Sequence, residues 1–134
     1  KFMNILALIP ARMGSSRFPG KPMAKLLQKP MIGHVYENVN KCDILTKTVV
    51  ATCDKEIFDY ITSIDGQAIM TSNKHERATE RAAEVVSILE SNGEFFDYIL
   101  LLQGDEPQIN PIDINKLSNT MLFIETYNTY HSCF

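Results

Sequence analysis

Residues 4–22 read NILALIPARMGSSRFPGKP, an apolar run that gives way at Pro10 to a loop of small and basic residues. A short, uninterrupted apolar run bounded by turn residues is the pattern of a strand buried on both faces. The loop of residues 11–29 is rich in Gly, Pro and Ser. It places Arg12, Arg17 and Lys21 just past the carboxyl end of that strand.

Outward from this stretch the pattern alternates. Residues 31–41 carry Met31, Ile32, Val35 and Val39 at helical spacing, and residues 47–52 (KTVVAT) are β-branched and strand-like. Residues 55–64 put Ile57, Phe58, Ile61 and Ile64 on one helical face, which Gly66 stops, and residues 67–71 form a short strand. Asn73 precedes Glu76 by a capping-box spacing, which predicts a helix from there to Ser91 with Ala78, Ala82, Val85, Val86 and Leu89 inward. Residues 96–103 give a second strongly apolar strand, and residues 111–124, opened by Pro111, predict a last helix. Strands alternating with helices imply an α/β fold: a three-layer α/β/α, Rossmann-like domain with a mainly parallel sheet, one domain over residues 1–134. Ligands in such sheets bind beyond the strands' carboxyl ends.

Composition narrows the function. An apolar share of 45% with 22% charged residues is that of a globular domain rather than a disordered chain. A net charge of −3 argues against general nucleic-acid binding. Yet residues 1–36 hold six basic residues and no acid, the first acid being Glu37. A basic segment in an acidic protein points to a specific anion site. No apolar run is long enough for a membrane helix, and the N-terminal run ends at once in Pro10-Ala11-Arg12, unlike a secretory signal. Cys42, Cys53 and Cys133 form neither a CxxC pair nor an even framework, so reduced thiols and a cytoplasmic location are expected.

Two constellations carry chemistry. In residues 10–22, small residues let backbone N–H groups approach an anion while Arg12, Arg17 and Lys21 add charge; a triphosphate needs both. This is not a P-loop, because five residues separate Gly14 from Gly20 and Pro22 follows Lys21. The competing reading is a solvated surface loop. The second constellation, Gln103-Gly104-Asp105-Glu106-Pro107, follows the second apolar strand. A carboxylate there, together with substrate phosphates, suits magnesium; alone it would read as a polar turn. In-line attack at an α-phosphorus would follow, without a covalent enzyme intermediate. In residues 71–81, Thr71, Ser72 and Thr79 either read a base edge or cap and solvate a helix. His75-Glu76 opens like the zinc motif HExxH, but position 79 is Thr, so the match fails.

Taken in order, IPARMGSSRFPGKPM, QKPMIGHV, VVATCDKEI, MTSNKHERATERAAEV and LLQGDEP resemble the cytidylyltransferases that activate 3-deoxy-manno-octulosonate (Kdo). The resemblance runs from Asn4 to about Leu117. It implies a nucleotidyltransferase-type fold that uses CTP and Mg2+, joins CMP to the sugar acid for lipopolysaccharide or capsule precursors, and releases pyrophosphate. Arg12 and Lys21 then match triphosphate-binding residues, supported by Ala11, Ser16 and Arg17. Asp105 matches a magnesium ligand, making Arg12, Lys21 and Asp105 the expected catalytic set. Gln103 matches a residue near sugar and ribose, and Met70, Thr71 and Thr79 lie where the family holds cytosine. The family usually has Ser-Gly-Thr where this chain has Arg77-Ala78-Thr79. Family members continue well past residue 117, with a second magnesium-binding aspartate, most sugar-acid contacts and a homodimer surface; the chain is thus read as their N-terminal part, with a tail after Thr120 unlike their continuation. The alternatives are a CTP-binding module without catalysis and a related enzyme such as a CMP-sialic acid synthetase. No nucleic-acid or membrane partner is expected.

Overall fold

The computed structural model describes residues 4–14, 19–43, 45–75 and 77–102, together with the backbone of 115–116 and 122–123. Its centre is a four-stranded parallel sheet built from β1 (Ile5–Pro10), β4 (Lys47–Thr52), β5 (Ala68–Met70) and β6 (Tyr98–Leu101), in the order β5-β4-β1-β6. Strand β1 is paired on both sides, Leu8 lying opposite Val49 of β4 and Leu101 of β6. Its side chains Leu6, Ala7, Leu8 and Ile9 are fully buried, as a strand covered on both faces requires.

Two apolar layers follow from the strand period of two. On one face Ala7, Ile9, Val50 and Leu100 pack with Ile32, Val35 and Val39 of α1 (Met31–Asn40) and with Ile57 and Ile61 of α2 (Lys55–Ser63). On the other, Leu6, Leu8, Val49, Ala51 and Ile99 pack with Ala82, Val85 and Leu89 of α3 (Ala78–Ser91). The handedness rule accounts for this division. The connections through α1 and α2 step outward from β1 to β4 to β5, so both helices lie on one face. The connection through α3 returns across the sheet to β6 and lies on the other. The order therefore reverses at β1, and the crevice between the carboxyl ends of β1 and β6 is a topological switch point.

The strands and first two helices fall where the sequence places them. Three expectations are corrected. The loop of residues 11–29 is not wholly irregular: a single 3-10 turn (Lys21–Met23) leads into a hairpin of β2 (Lys25–Leu26) and β3 (Lys29–Pro30). Helix α3 starts at Ala78, not after Asn73: the Glu80 carboxylate reaches back to the Arg77 N–H at 3.2 Å. Residues 71–75 are kept out of it because Ser72 Oγ accepts the Lys74 N–H at 3.1 Å, a local turn that competes with helix. Finally, part of residues 111–124 is extended, with β7 (Asn115–Lys116) pairing antiparallel with β8 (Leu122–Phe123). Between them stand Ser118-Asn119-Thr120, residues that favour turns over helix interiors.

The β2–β3 hairpin turns through Leu27 and Gln28, both left-handed at φ 54° and 66°. A two-residue turn of this type is normally Asn-Gly, because a side chain at Cβ crowds the backbone there. The chain accepts this strain with Leu27 85% exposed, so no burial offsets it. Replacing the pair by Asn-Gly (Leu27→Asn with Gln28→Gly) should stabilise the protein by about 1–2 kcal/mol. Thermal or urea unfolding of the double variant checks this; an unchanged or lower midpoint would refute the strain.

Candidate functional site

The site is built on the switch-point rim. As the chain leaves β1, Ala11 extends the ladder by donating its N–H to Ala51 O at 2.9 Å. The next amide turns away from the sheet: Met13 N–H donates to the Asp54 carboxylate at 2.8 Å. Asp54 stands just past β4 and opens α2, its own carbonyl accepting the Phe58 N–H at 3.0 Å. Its own N–H is held by Thr52 Oγ1 at 3.0 Å. The start of the basic loop is thus fastened to a neighbouring strand end by a charge-assisted hydrogen bond, a stronger tie than a neutral one.

The loop then closes on itself, Gly20 N–H donating to Met13 O at 2.7 Å. Gly20 has φ +80°, a conformation that suits a residue without Cβ. Arg12 and Lys21 lie immediately outside this closure, so the two sequence-predicted phosphate ligands flank one backbone contact. Arg12 is exposed and Lys21 half-buried. Ala11, also expected at the nucleotide, is buried beneath them. Ser16 and Arg17, within the closed loop, lie outside the described residues.

The end of β6 lies on the same rim. Leu102 N–H donates to Leu8 O at 2.9 Å, so the chain reaches residue 102 alongside the end of β1. Gln103 and Asp105 come next in sequence and lie outside the described residues, as does Glu106. Among the described residues no three His, Cys, Asp or Glu side chains gather as a metal cluster. The hard carboxylate oxygens of Asp105 and Glu106, following a strand that pairs directly with β1, are the donor type magnesium prefers.

The third part of the rim follows β5. Thr71 N–H donates to Thr52 O at 2.9 Å, prolonging the sheet by one residue. Met70 is 43% exposed, while Thr71 is buried and its hydroxyl accepts a hydrogen bond from the Arg81 guanidinium. The Thr71 oxygen is therefore engaged from within the protein. Thr79, in the first turn of α3, is exposed. The sequence reading missed Arg81: in TERAAE it reads as one more solvated helix charge, yet it is 3% exposed. It also missed Glu84, which accepts hydrogen bonds from Ser72 N–H at 2.9 Å and from His75 Nε2–H at 2.6 Å. His75 belongs to this network and to no metal cluster among the described residues.

The cytidylyltransferase family model matches residues 6–132. The chain belongs to the cytidylyltransferase family. The match runs past Leu117, where the sequence reading ended the resemblance, and takes in most of the tail after Thr120 that was expected to be unlike the family. The 3-deoxy-manno-octulosonate cytidylyltransferase of Trichlorobacter lovleyi is 50% identical over 114 residues, 85% of this chain and 43% of the relative. The 8-amino-3,8-dideoxy-manno-octulosonate cytidylyltransferase of Shewanella frigidimarina is 44% identical over 115 residues, 86% of this chain and 46% of that protein. A CMP:2-keto-3-deoxy-manno-octonic acid synthetase solved in complex with CTP superposes with a TM-score of 0.70 at 40% identity, over 80% of this chain and 42% of that one. This cytidylyltransferase chain thus spans less than half the length of the relatives it matches. No described helix is long and apolar enough to cross a membrane.

The Glu84 carboxyl is held below the ordinary value of 4.5, first by the Ser72 N–H and then by the His75 hydrogen bond, against the opposing effect of burial. A lowered folded-state pKa stabilises the protein above the unfolded value, and that contribution fades as pH falls through the folded value. The melting-temperature advantage of the native chain over Glu84→Gln should therefore be full above about pH 5 and shrink as pH drops below 4.5. Melting curves from pH 7 to 3 check the sign; an advantage that grows on acidification would refute it.

Proposed function

We propose that this chain binds CTP through the loop after β1 and contributes that site to transfer of CMP onto Kdo or a closely related sugar acid. The observation that carries the reading is the closed basic loop, fastened to Asp54, at the switch point where β1 and β6 diverge in order. Charge and position agree. The Arg12 guanidinium offers a bidentate fork and the Lys21 ammonium a point charge, and a triphosphate presents oxygens for both. Ser16 and Arg17 lie within the same loop in sequence and would add a hydroxyl and a further positive charge. The two relatives named for octulosonates, and the structure solved with CTP, support the choice of nucleotide and acceptor.

In this reading the sugar's hydroxyl attacks the α-phosphorus in line, the new O–P bond forms, and the bond to the bridging oxygen breaks to release pyrophosphate. Charge builds on the departing oxygens, and Arg12 and Lys21 stabilise it there. Asp105 would hold magnesium, with Glu106 beside it, and the bound ion would supply further charge neutralisation across the phosphates. Gln103 would stand by the ribose and sugar. Met70, Thr71 and Thr79 would border the cytosine, Met70 as an exposed apolar surface and Thr71 through the backbone that Arg81 holds.

Isothermal titration with CTP and magnesium tests the nucleotide site. Arg12→Ala and Lys21→Ala should each weaken binding about tenfold or more, as loss of a charge-assisted phosphate contact implies. Native affinity in both variants would remove the phosphate role. Pyrophosphate release on adding Kdo to the CTP-bound chain tests transfer itself; the 8-amino-3,8-dideoxy sugar acid, run in parallel, reports which acceptor is preferred.

A further inference from the structure

Five residues between β5 and α3, 71–75, border the proposed base site without being part of any helix or strand. Such a segment is ordinarily free to reorient its peptide groups. Here both polar groups of one peptide residue are taken by side chains of one helix. Ser72 N–H donates to Glu84 Oε1 at 2.9 Å, and Ser72 C=O accepts from Arg81 Nη1 at 3.2 Å. Arg81 and Glu84 are three apart on α3, so they project from the same face of a rigid element. The same guanidinium nitrogen also donates to Thr71 Oγ1, and the same carboxylate oxygen also accepts from His75 Nε2–H. Thr71 is secured on its other side to Thr52 O. A buried guanidinium is costly unless its donors are satisfied, and these contacts use both N–H groups of Nη1.

We propose that Arg81 and Glu84 are positioning residues for nucleobase specificity: they lock the orientation of the Thr71–Ser72–His75 segment so that it distinguishes cytosine from uracil. The inference rests on the base-site reading given under Proposed function. The chemistry requires such a lock. Cytosine presents an amino donor beside a ring-nitrogen acceptor, where uracil presents a carbonyl acceptor beside an N–H donor. Ser72 N–H and C=O belong to two successive peptide units, so both units are fixed, and with them the directions of Thr71 C=O and Asn73 N–H. Free to turn over, that acceptor and donor would suit either base; held, they suit one. Neither Arg81 nor Glu84 need touch the nucleotide, since each acts through the segment it holds.

The test compares three probes on the 134-residue chain with magnesium: CTP, UTP and inorganic tripolyphosphate. Glu84→Ala removes the Ser72 acceptor at a partly exposed helix position where Ala is well tolerated. It should lower the CTP-over-UTP affinity ratio about five- to tenfold, with tripolyphosphate affinity within about twofold of native. Glu84→Gln, which keeps an acceptor oxygen, should restore most of the ratio. Arg81→Lys should lower the ratio as Glu84→Ala does, because one ammonium cannot reproduce the planar guanidinium. A native ratio in Glu84→Ala would overturn the proposal. So would an equal loss for all three probes, which would mark a general loosening of the fold. If the unmodified chain itself fails to prefer CTP to UTP, the base-site reading falls and takes this inference with it, an outcome recognisable before any variant is made.

Discussion

Strand β1 is hydrogen-bonded along both edges, to β4 on one side and β6 on the other, and no other described strand of the sheet has two such neighbours on opposite sides of the order reversal. Everything at the rim inherits its placement from that pairing. Because β1 is fixed on both sides, its end at Pro10 is a fixed point, and the chain beyond it must depart above a crevice. Its buried Leu6, Ala7, Leu8 and Ile9 each contribute on the order of 1 to 3 kcal/mol, which keeps the platform rigid. Beyond that point Asp54 secures the start of the basic loop at Met13, and the Met13–Gly20 contact joins its two described ends.

The rim shows a division of labour by element. The loop after β1 carries the cations Arg12 and Lys21, the sequence after β6 carries the carboxylates Asp105 and Glu106, and the segment after β5 has the backbone polar groups of Ser72 held by α3. The last takes its shape from side chains in the body of α3. Helix α3 covers the sheet with Ala82, Val85 and Leu89 while its first two turns reach over the rim with Arg81 and Glu84. One helix therefore serves the core with one part of its surface and the ligand edge with another. A change in how α3 packs would be felt at the β5 loop before it reached the loop after β1.

Much of the fold is legible in the sequence because it rests on strong local signals. NILALIP has no polar residue between Asn4 and Pro10, and VVAT and ILLL carry the same message. The hairpin of residues 25–30 was hidden because its turn is Leu27-Gln28, where the usual Asn-Gly signal is absent. The start of α3 was misplaced because Asn73 and Glu76 have capping spacing, while tertiary ties to Arg81 and Glu84 hold the backbone there in another shape. Arg12 and Lys21 were readable as cations just past the end of β1, which is where the structure has them. Arg81 and Glu84 were not: a charged residue on a helix declares its face by what packs against it, and that information is non-local.

The two edges of β1 differ in how far apart their partners lie along the chain. Leu8 meets Val49 of β4 across a modest span, whereas Asn4 and Asp97 close a separation of 93 residues. Closing a longer loop sacrifices more chain entropy and is slower. During synthesis β1, β4 and β5 can assemble with α1 and α2 while β6 is still being made. During synthesis the crevice between β1 and β6 is thus the last part of the sheet able to form, and until β6 emerges the central strand has an unpaired edge open to any other chain nearby.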